Sequence, residues 1–470
     1  MILRLSPIVY ALALVTVAAH LAFAHRYGYY RDEFYFIDCA KHLAWGYVDQ
    51  PPLAPLIAWL TGPLGYPLWA LRFFPGILAG VTVVLGAAIA REFGGRAFAQ
   101  ALAALAIVLA PGLIAIAYGL STEFLSPAAW TALVYLTIRL VKTRATRLYI
   151  PIGLVVALGM YAKYSIAACA VALVVGLLLT GDREILRARR FALGVALTGL
   201  LVLPNALWQI GHGLPILEVL HNDQLNRHAY ANGLADESAS RWLNALYMLA
   251  AQLLLQNAFL SAIWIWGLAW LWRTPYRFLT VAYLLLLGLL VLTIGRGYYI
   301  EGIYPALFAA GAVAIERTVG PKPALRASVA FAVAAVGLFF VPLVLPVLNF
   351  PTYLTYERAI GLSRPAQPGG TYHLIDVIYA DQLGWRQMTE TVARVYWSLP
   401  PAQRARTAIF ADRYDFAGAL NYYGPRYGLP TAISPNNSYY LWGTRGYSGS
   451  PTLAVGATDY RMLRHWFGSV

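Results

Sequence analysis

Long apolar runs alternate with short polar segments along the first three-quarters of the chain. The hydrocarbon core of a bilayer is about 30 Å thick, so a helix of about 20 apolar residues can cross it. This pattern predicts about eleven transmembrane helices, of which the fifth and the tenth are short. The predicted spans are residues 6–24, 68–90, 98–118, 120–140, 148–162, 165–180, 191–208, 250–272, 278–294, 304–317 and 328–348.

The first run has two interpretations. Arg4 precedes it, and Ala22-Phe23-Ala24 resembles a signal-peptidase site, so the run could be a cleaved signal peptide. We favour a retained anchor, because a run of this length can span the bilayer.

Basic residues indicate the orientation of the spans. Short cytoplasmic loops carry an excess of Lys and Arg, and the basic clusters fall in alternate loops, such as those around residues 91–96, 142–147 and 183–190. If the N-terminus is cytoplasmic and the number of spans is odd, residues 25–67, 209–249 and the tail from about residue 349 lie outside. The sequence therefore predicts a multi-pass membrane protein whose large loops lie on the non-cytoplasmic side.

Composition supports this class and excludes others. The 470 residues are 60% hydrophobic and only 12% charged, which is too apolar for an ordinary soluble domain. The formal net charge of +14 is accounted for by topology and lipid headgroups, so nucleic acid is not an expected partner. Cys39 and Cys169 lack metal-ligand spacing, and no histidine pair has it within a helix, so neither a metal nor another cofactor is predicted.

After residue 349 the long apolar runs give way to mixed sequence that is rich in turn residues. Prolines and glycines mark a loop around residues 351–370, and a strand at 406–411, a helix at 414–423 and a strand entry at 430–434 follow. We therefore predict an all-α membrane domain over residues 1–348 and a small α/β domain on the outer side over residues 349–470.

Candidate chemistry begins directly after the first span. Asp32 and Glu33 stand side by side among tyrosines and phenylalanines, and charged residues beside a span are candidates for function. Adjacent helical residues point about 100° apart, so one carboxylate can face a cavity while the other orients it. The plain alternative is an aromatic belt at the membrane interface with solvated loop charges. The sequence continues with a Gly-Tyr turn and an Asp-Gln-Pro-Pro corner, a more distinctive pattern than a plain connecting loop needs. This segment reads Gly46-Tyr47-Val48-Asp49-Gln50-Pro51-Pro52-Leu53.

These two motifs together resemble the bacterial protein-mannosyltransferase and aminoarabinose-transferase group, which are C-type (GT-C) glycosyltransferases similar to glycosyltransferase family 39. The resemblance covers residues 1–345 and includes three further segments. They are Lys163-Tyr164, Leu203-Pro204-Asn205 and Gly297-Tyr298-Tyr299 before Tyr304-Pro305. It implies a polyprenyl-phosphate sugar as donor, direct attack by an acceptor hydroxyl, and inversion at the anomeric carbon. It also implies a bacterial inner membrane, with the outer loops and the tail domain in the periplasm. The acceptor could be a lipid, a polysaccharide or a protein.

The resemblance also implies roles for individual residues. Asp32 matches the acidic position expected to act as general base, Glu33 would orient the base or the acceptor, and Asp49 would hold the loop or a sugar hydroxyl. Lys163 and Arg296 are outer-face cations that would stabilise the charge on the leaving phosphate. Their plain alternatives are a lysine that reaches toward the lipid headgroups and an interface anchor.

Three further features complete the predicted site: a pair of tyrosines, an acidic residue and a loop. Tyr298 and Tyr299 could stack on sugar or prenyl groups. Relatives often carry an acidic residue just before the proline that opens the fourth span; here Ser126 stands there, and Glu123, one turn earlier, is the candidate replacement. The loop 209–249, with its histidines, Asp223 and Trp242, could form a lid over the site or be a plain loop.

Two other classes of protein remain open. A transporter or flippase of lipid-linked sugars should show inverted repeats and charged, broken helices near the membrane midplane, whereas the candidate charges here lie at the outer rim. A non-catalytic assembly protein would have no need of paired carboxylates and cations on one face. The transferase is therefore the favoured function.

Overall fold

The computed structural model describes residues 4–232, 237–293, 295–362, 377–449, 451–456 and 464–465. The chain forms two compact units: Met1–Arg26 with Arg72–Ile360, and Tyr27–Leu71 with Gly361–Val470. The expected boundary near residue 348 therefore differs from the observed division, because the first loop shares a unit with the tail. A shared core explains this: Phe34 from the loop packs with Trp385 and Ala419 from the tail.

Within the described residues the chain is mostly helical, with one small sheet. In chain order the helices are Pro7–Phe23 (α1), Arg31–Ala40 (α2), Leu53–Thr61 (α3), Leu68–Leu71 (α4), Phe73–Glu92 (α5), Ala97–Val108 (α6), Pro111–Tyr118 (α7), Ser126–Thr143 (α8), Tyr149–Ala162 (α9), Ser165–Thr180 (α10), Arg183–Leu186 (α11), Arg189–Gly211 (α12), Pro215–Asn232 (α13), Glu237–Leu255 (α14), Ala258–Trp272 (α15), Phe278–Leu292 (α16), Tyr304–Val319 (α17), Pro323–Val344 (α18), Phe350–Ala359 (α19), Val377–Ala380 (α20), Trp385–Ser398 (α21), Pro401–Arg404 (α22), Tyr414–Tyr423 (α23) and Tyr439–Trp442 (α24). Short 3₁₀ helices cover Gly62–Leu64, Thr146–Leu148, Gly297–Ile303 and Gly424–Tyr427, and the strands are Ala408–Ala411 (β1) and Thr452–Val455 (β2).

Each predicted apolar run overlaps a helix, but few of these helices are long. Within the described ranges, four helices are long and apolar enough to cross a membrane, or six if each of two bent pairs counts as one span. The four are Leu68–Glu92, Arg189–Gly211, Gly297–Val319 and Pro323–Val344. Helix length thus supports a membrane protein without confirming the predicted count of eleven spans.

Local chemistry explains where the predicted spans break. The run 98–118 is split into α6 and α7, which are bent by 57°. Pro111 begins α7, and Ala110 before it is extended, with φ −73° and ψ 113°, because a residue that precedes proline avoids the helical region. The run 250–272 breaks at Asn257, whose positive φ of 57° ends the helix and whose side chain caps α15 by accepting from the Phe259 and Leu260 N–H groups.

Close helix contacts in the first unit depend on small residues. Gly267 of α15 and Gly311 of α17 face the partner helix at its backbone, and a Cβ at either position would overlap a carbonyl oxygen there. Small residues at such contacts let membrane helices approach closely.

The second unit combines the small sheet with helices from both ends of the chain. Strands β1 and β2 are parallel, with Ala408 opposite Thr452 and Ala411 opposite Val455. The strand and helix predicted at 406–411 and 414–423 are found as β1 and α23, whereas residues 430–434 contribute a single bridge, from Ile433 to Phe410. Helix α23 packs on α2 so closely that a Cβ on Gly418 would lie 2.8 Å from the Cβ of Phe34.

Candidate functional site

Helix α2 presents the first pair of predicted site residues. It begins at Arg31, after the extended residue Tyr30. The Glu33 side chain is fully buried and accepts a hydrogen bond from the Tyr30 N–H at 2.8 Å. Such a bond satisfies a backbone donor that a helix leaves unpaired at its first turn. Glu33 therefore caps the helix that carries Asp32, and its predicted role in orienting the base or the acceptor stays a prediction.

Asp32 is partly buried in this unit and has specific partners. The Tyr414 hydroxyl donates to Asp32 Oδ1 at 2.6 Å, and the Arg31 Nε lies 3.6 Å from the same oxygen. Arg31 is itself held by Asp381, whose carboxylate lies 3.1 Å from the Arg31 Nη1. The Asp32 side chain keeps 29% of its surface exposed. It is thus fixed by neighbours and still open to a ligand.

The surroundings of Asp32 favour its protonated form. Burial raises the pKa of this carboxyl group above its ordinary value, Arg31 and Tyr414 act in the opposite direction, and the nearby carboxylates of Asp415 and Glu33 raise it further. A carboxylate with a raised pKa and an open face suits a general base, because proton transfer is most efficient when the pKa of the base approaches the working pH.

Asp49 lies in the same unit and is bound by neutral donors. The Tyr35 hydroxyl donates to Asp49 Oδ1 at 2.7 Å, and the Asn437 amide donates to Oδ2 at 3.1 Å. Burial raises the pKa of Asp49 from 3.8 to about 6. The loop that carries the Asp-Gln-Pro-Pro motif is therefore tied to the C-terminal segment through this carboxyl group.

A third aspartate of this unit was not singled out from the sequence. Asp38 on α2 is buried, and its Oδ2 accepts from Asn421 and Tyr439, each at 2.7 Å. Its Oδ1 accepts from Lys41 at 2.8 Å. A lone charge within the otherwise apolar stretch of α2 is the signal that could have identified Asp38. No local signal points to Tyr414, which lies 382 residues from Asp32 in the sequence.

The predicted cation Lys163 lies in the first unit. It follows α9 with an extended backbone, and its ammonium group forms an ion pair with the buried carboxylate of Glu123. The same ammonium lies 4.2 Å from the ring centre of Tyr299 and 5.7 Å from that of Tyr298. The structure therefore brings together four of the predicted residues.

Charge and aromatic neighbours keep Lys163 protonated. Burial alone lowers the pKa of this amine, but Glu123 and the two tyrosines outweigh burial, so the pKa lies above its ordinary value. An ammonium over a tyrosine face also gains from the negative ring surface. A permanently charged, partly buried ammonium group suits the binding of an anion such as a phosphate.

Arg296 approaches this cluster from the start of the 3₁₀ helix Gly297–Ile303. Its guanidinium lies 3.5 Å from the Tyr298 hydroxyl and 3.6 Å from the carboxylate of Asp223, and half of its side chain is exposed. Asp223 belongs to α13, in the segment predicted as a lid. The His228 and Trp242 side chains named for that lid lie outside the described residues.

The 3₁₀ helix that carries the two tyrosines is anchored by a carboxylate that sequence reasoning missed. Glu301 is buried, and both of its oxygens accept from Gln256, at 2.6 and 2.8 Å. Gly112 permits this arrangement, because a Cβ there would lie 2.7 Å from the carboxyl carbon. Charged residues inside a membrane domain usually face the protein interior and mark function, which is the signal that could have identified Glu301.

No metal site emerges from the described residues: no group of three or more His, Cys, Asp or Glu side chains could hold an ion there. Cys39 and Cys169 are buried and free. The candidate chemistry therefore consists of a carboxylate cluster around Asp32 in one unit and a cation cluster around Lys163 in the other.

Comparison with known proteins finds a family model that matches part of the chain and a solved structure with a similar fold. Residues 49–208 match the family described as dolichyl-phosphate-mannose-protein mannosyltransferase. The crystal structure of ArnT from Cupriavidus metallidurans bound to undecaprenyl phosphate is similar, with a TM-score of 0.56 and 15% identity over 91% of this chain and 85% of that one. The apo structure of the same protein gives a TM-score of 0.56 and 14% identity, over 91% and 84% of the two chains. No curated protein matches the chain by sequence.

The family match covers Asp49, Glu123 and Lys163, whereas the structural match extends over nearly the whole chain. The chain thus has the fold of ArnT, and its resemblance to the protein-mannosyltransferase and aminoarabinose-transferase group of C-type glycosyltransferases is confirmed.

Proposed function

We propose that this chain is an inverting membrane glycosyltransferase. It moves a sugar from a polyprenyl-phosphate donor to an acceptor hydroxyl on the periplasmic side of a bacterial inner membrane, in glycosylation of the cell envelope. The proposal depends most on the environment of Asp32. Its carboxylate is partly exposed, has a raised pKa and is held in place by neighbouring side chains. The ArnT fold and the family match supply the class of reaction.

The reaction needs one base and one site for the leaving group. The acceptor oxygen forms a bond to the anomeric carbon while the bond from that carbon to the phosphate oxygen breaks. The acceptor proton passes to Asp32, and the polyprenyl phosphate leaves with the bonding electron pair. Attack from the face opposite the phosphate inverts the anomeric carbon. No metal or other cofactor enters this scheme.

Lys163 is the proposed site for the leaving phosphate. Negative charge grows on that phosphate in the transition state, and a preorganised cation stabilises it more than it stabilises the ground state. Glu123 holds the ammonium group in place and balances its charge. Arg296 is a second, more exposed cation beside Tyr298. ArnT was crystallised with undecaprenyl phosphate, which supports a donor of this class.

The remaining predicted residues serve binding. Tyr298 and Tyr299 offer aromatic faces next to the ammonium group, where a sugar ring or a prenyl chain could pack. Asp49 ties its loop to the tail and presents a carboxyl group that can hold a sugar hydroxyl. Lipids, polysaccharides and proteins all carry suitable acceptor hydroxyls.

The test is transfer from a panel of polyprenyl-phosphate sugars by the full chain in detergent. We expect one donor to be consumed, and we expect Asp32→Asn and Lys163→Ala each to lower the rate by about 100-fold or more, the usual effect of losing a general base or an electrostatic contact.

Two matched variants control for the loss of charge alone. Lys142→Ala removes another ion-paired lysine, bound to Glu92 at 3.0 Å, and Asp182→Asn removes an aspartate bound to Arg144 at 2.7 Å. Both should retain wild-type transfer. Failure of every donor, or full activity of folded Asp32→Asn, would overturn the proposal.

A further inference from the structure

The C-terminal segment contributes directly to the carboxylate cluster. Tyr414 is the first residue of α23, and its hydroxyl donates to Asp32 Oδ1 at 2.6 Å. This distance is typical of a short hydrogen bond from a hydroxyl to a charged acceptor. The residue proposed as base therefore depends on a side chain that lies far beyond the segment matched by the family, residues 49–208.

The position of Tyr414 is fixed from several sides. Its ring packs against that of Tyr35, with 5.4 Å between the ring centres. Farther along α23, Gly418 contacts Phe34 so tightly that no side chain fits between them, and Asn421 donates to Asp38. Helix α23 is thus held on α2 along its length, and the Tyr414 hydroxyl reaches Asp32 without needing to move.

The two oxygens of Asp32 have different environments. Oδ1 accepts from Tyr414 and lies 3.6 Å from Arg31. Among the residues that the structure describes, none donates a hydrogen bond to Oδ2, while the side chain remains 29% exposed. One oxygen is therefore held, and the other is available to receive a proton.

Other charged groups around Asp32 have partners of their own. Arg31 binds Asp381, Glu33 caps α2, and Asp415 pairs with Arg413 and accepts from the Phe416 N–H. Asp49, bound by Tyr35, is a further charged neighbour. Tyr414 is the hydroxyl that bonds directly to the Asp32 carboxylate.

We propose that Tyr414 is a positioning residue for Asp32, and that the C-terminal segment thereby completes the site of sugar transfer. Its hydroxyl holds Oδ1 so that Oδ2 faces the acceptor, and it stabilises the ionised carboxylate that the reaction requires. The inference rests on the proposed function, in which Asp32 is the base.

The experiment compares Tyr414→Phe with the wild type, using the donor that the wild type consumes, between pH 5 and pH 9. Phenylalanine keeps the ring that packs on Tyr35 and removes only the hydroxyl. Loss of a hydrogen bond to the carboxylate raises the pKa of Asp32, so the acid limb of the kcat profile should move up by about one pH unit. On the plateau, kcat should fall about tenfold because the base is less well oriented, with the donor KM within about twofold of wild type.

Tyr422→Phe is the matched control. Tyr422 lies on the same helix, and its hydroxyl bonds to that of Tyr29 at 2.6 Å rather than to a carboxylate. This variant should keep the wild-type pH profile even if it melts at a slightly lower temperature.

The pH profiles of the two phenylalanine variants distinguish a positioning role for Tyr414 from a structural one. A wild-type profile for Tyr414→Phe, or the same loss in both phenylalanine variants, would overturn the positioning role while leaving Asp32 as base. Absence of transfer by the wild type would overturn the proposed function, and this inference with it. A shifted acid limb in Tyr414→Phe alone supports the role, because a purely structural hydroxyl would not change the pH at which the base ionises.

Discussion

Asp49→Asn should stabilise the protein at alkaline pH. Asp49 accepts hydrogen bonds from Tyr35 and Asn437, and both donors are neutral. Burial therefore dominates and raises the pKa of Asp49 to about 6. An asparagine at this position is uncharged at every pH, and its oxygen can still accept from Tyr35 while Asn437 turns its own oxygen toward the new amide.

The size of the effect follows from the two pKa values of Asp49. Its folded-state pKa, about 6, lies above the ordinary aspartate value of about 3.9. The folded state therefore holds the proton more tightly, and the associated stability is present below about pH 4 and lost as the pH rises through 6. A difference of about two between the folded and unfolded pKa values corresponds to about 3 kcal/mol of unfolding free energy. This is an upper value, because water reaches part of the Asp49 side chain. We expect about 1–3 kcal/mol at pH 8.

The assay is thermal melting in detergent, followed by tryptophan fluorescence at pH 5, 6, 7 and 8. The difference in Tm between Asp49→Asn and the wild type should be smallest at pH 5, where it has about half of its full size, and should level off above pH 6. It should reach roughly 3–10 °C at pH 8 for a unit of about 150 residues. A second variant, Tyr35→Phe, removes a donor that favours the ionised form and should move the midpoint of this change upward. A Tm difference that does not vary with pH, or a less stable Asp49→Asn at pH 8, would refute the reasoning.

Three other substitutions separate catalytic from structural roles. Lys163→Arg should keep more of the donor kcat/KM than Lys163→Ala, because it retains the charge; equal losses in steady-state assays would count against a phosphate contact. Glu33→Ala should lower stability by about 1 kcal/mol through loss of the bond to the Tyr30 N–H, and a melting curve identical to wild type would contradict the cap. Gly418→Ala should cost about 1–3 kcal/mol because its Cβ would lie 2.8 Å from Phe34, which denaturant titration can detect.

Local patterns predicted much of the fold. Each apolar run overlaps a helix, and β1 and α23 lie where alternation and helical spacing place them. The break at Pro111 is also a local effect, since proline restricts the residue before it. The number of spans was harder to predict, because hydropathy does not show whether two short helices share one crossing.

Long-range packing set the limit of the sequence analysis. Nothing near Tyr27–Leu71 indicates that this loop shares a core with residues beyond 361, because hydrophobic patterning identifies buried faces without naming their partners. The same limit applies to the site. Outer-face cations and aromatics predicted Lys163, Tyr298 and Tyr299 as candidates, and the structure brings them together with Glu123. Tyr414 could not be found, since an ordinary tyrosine in a helix carries no sign of what its hydroxyl meets.

The family match and the structural match cover different parts of the chain, which matters for engineering the C-terminal segment. The family match ends at residue 208, so the segment that supplies Tyr414 and Asp381 to the Asp32 cluster lies outside it. Exchange of residues 361–470 for those of another transferase is an obvious route to test acceptor preference. Such a chimera would also remove the donor to Asp32 Oδ1 and the partner of Arg31. If the chimera lost activity, the cause could therefore be a displaced base as well as a changed acceptor preference. Retaining Tyr414 and Asp381 in the exchanged segment separates these two causes.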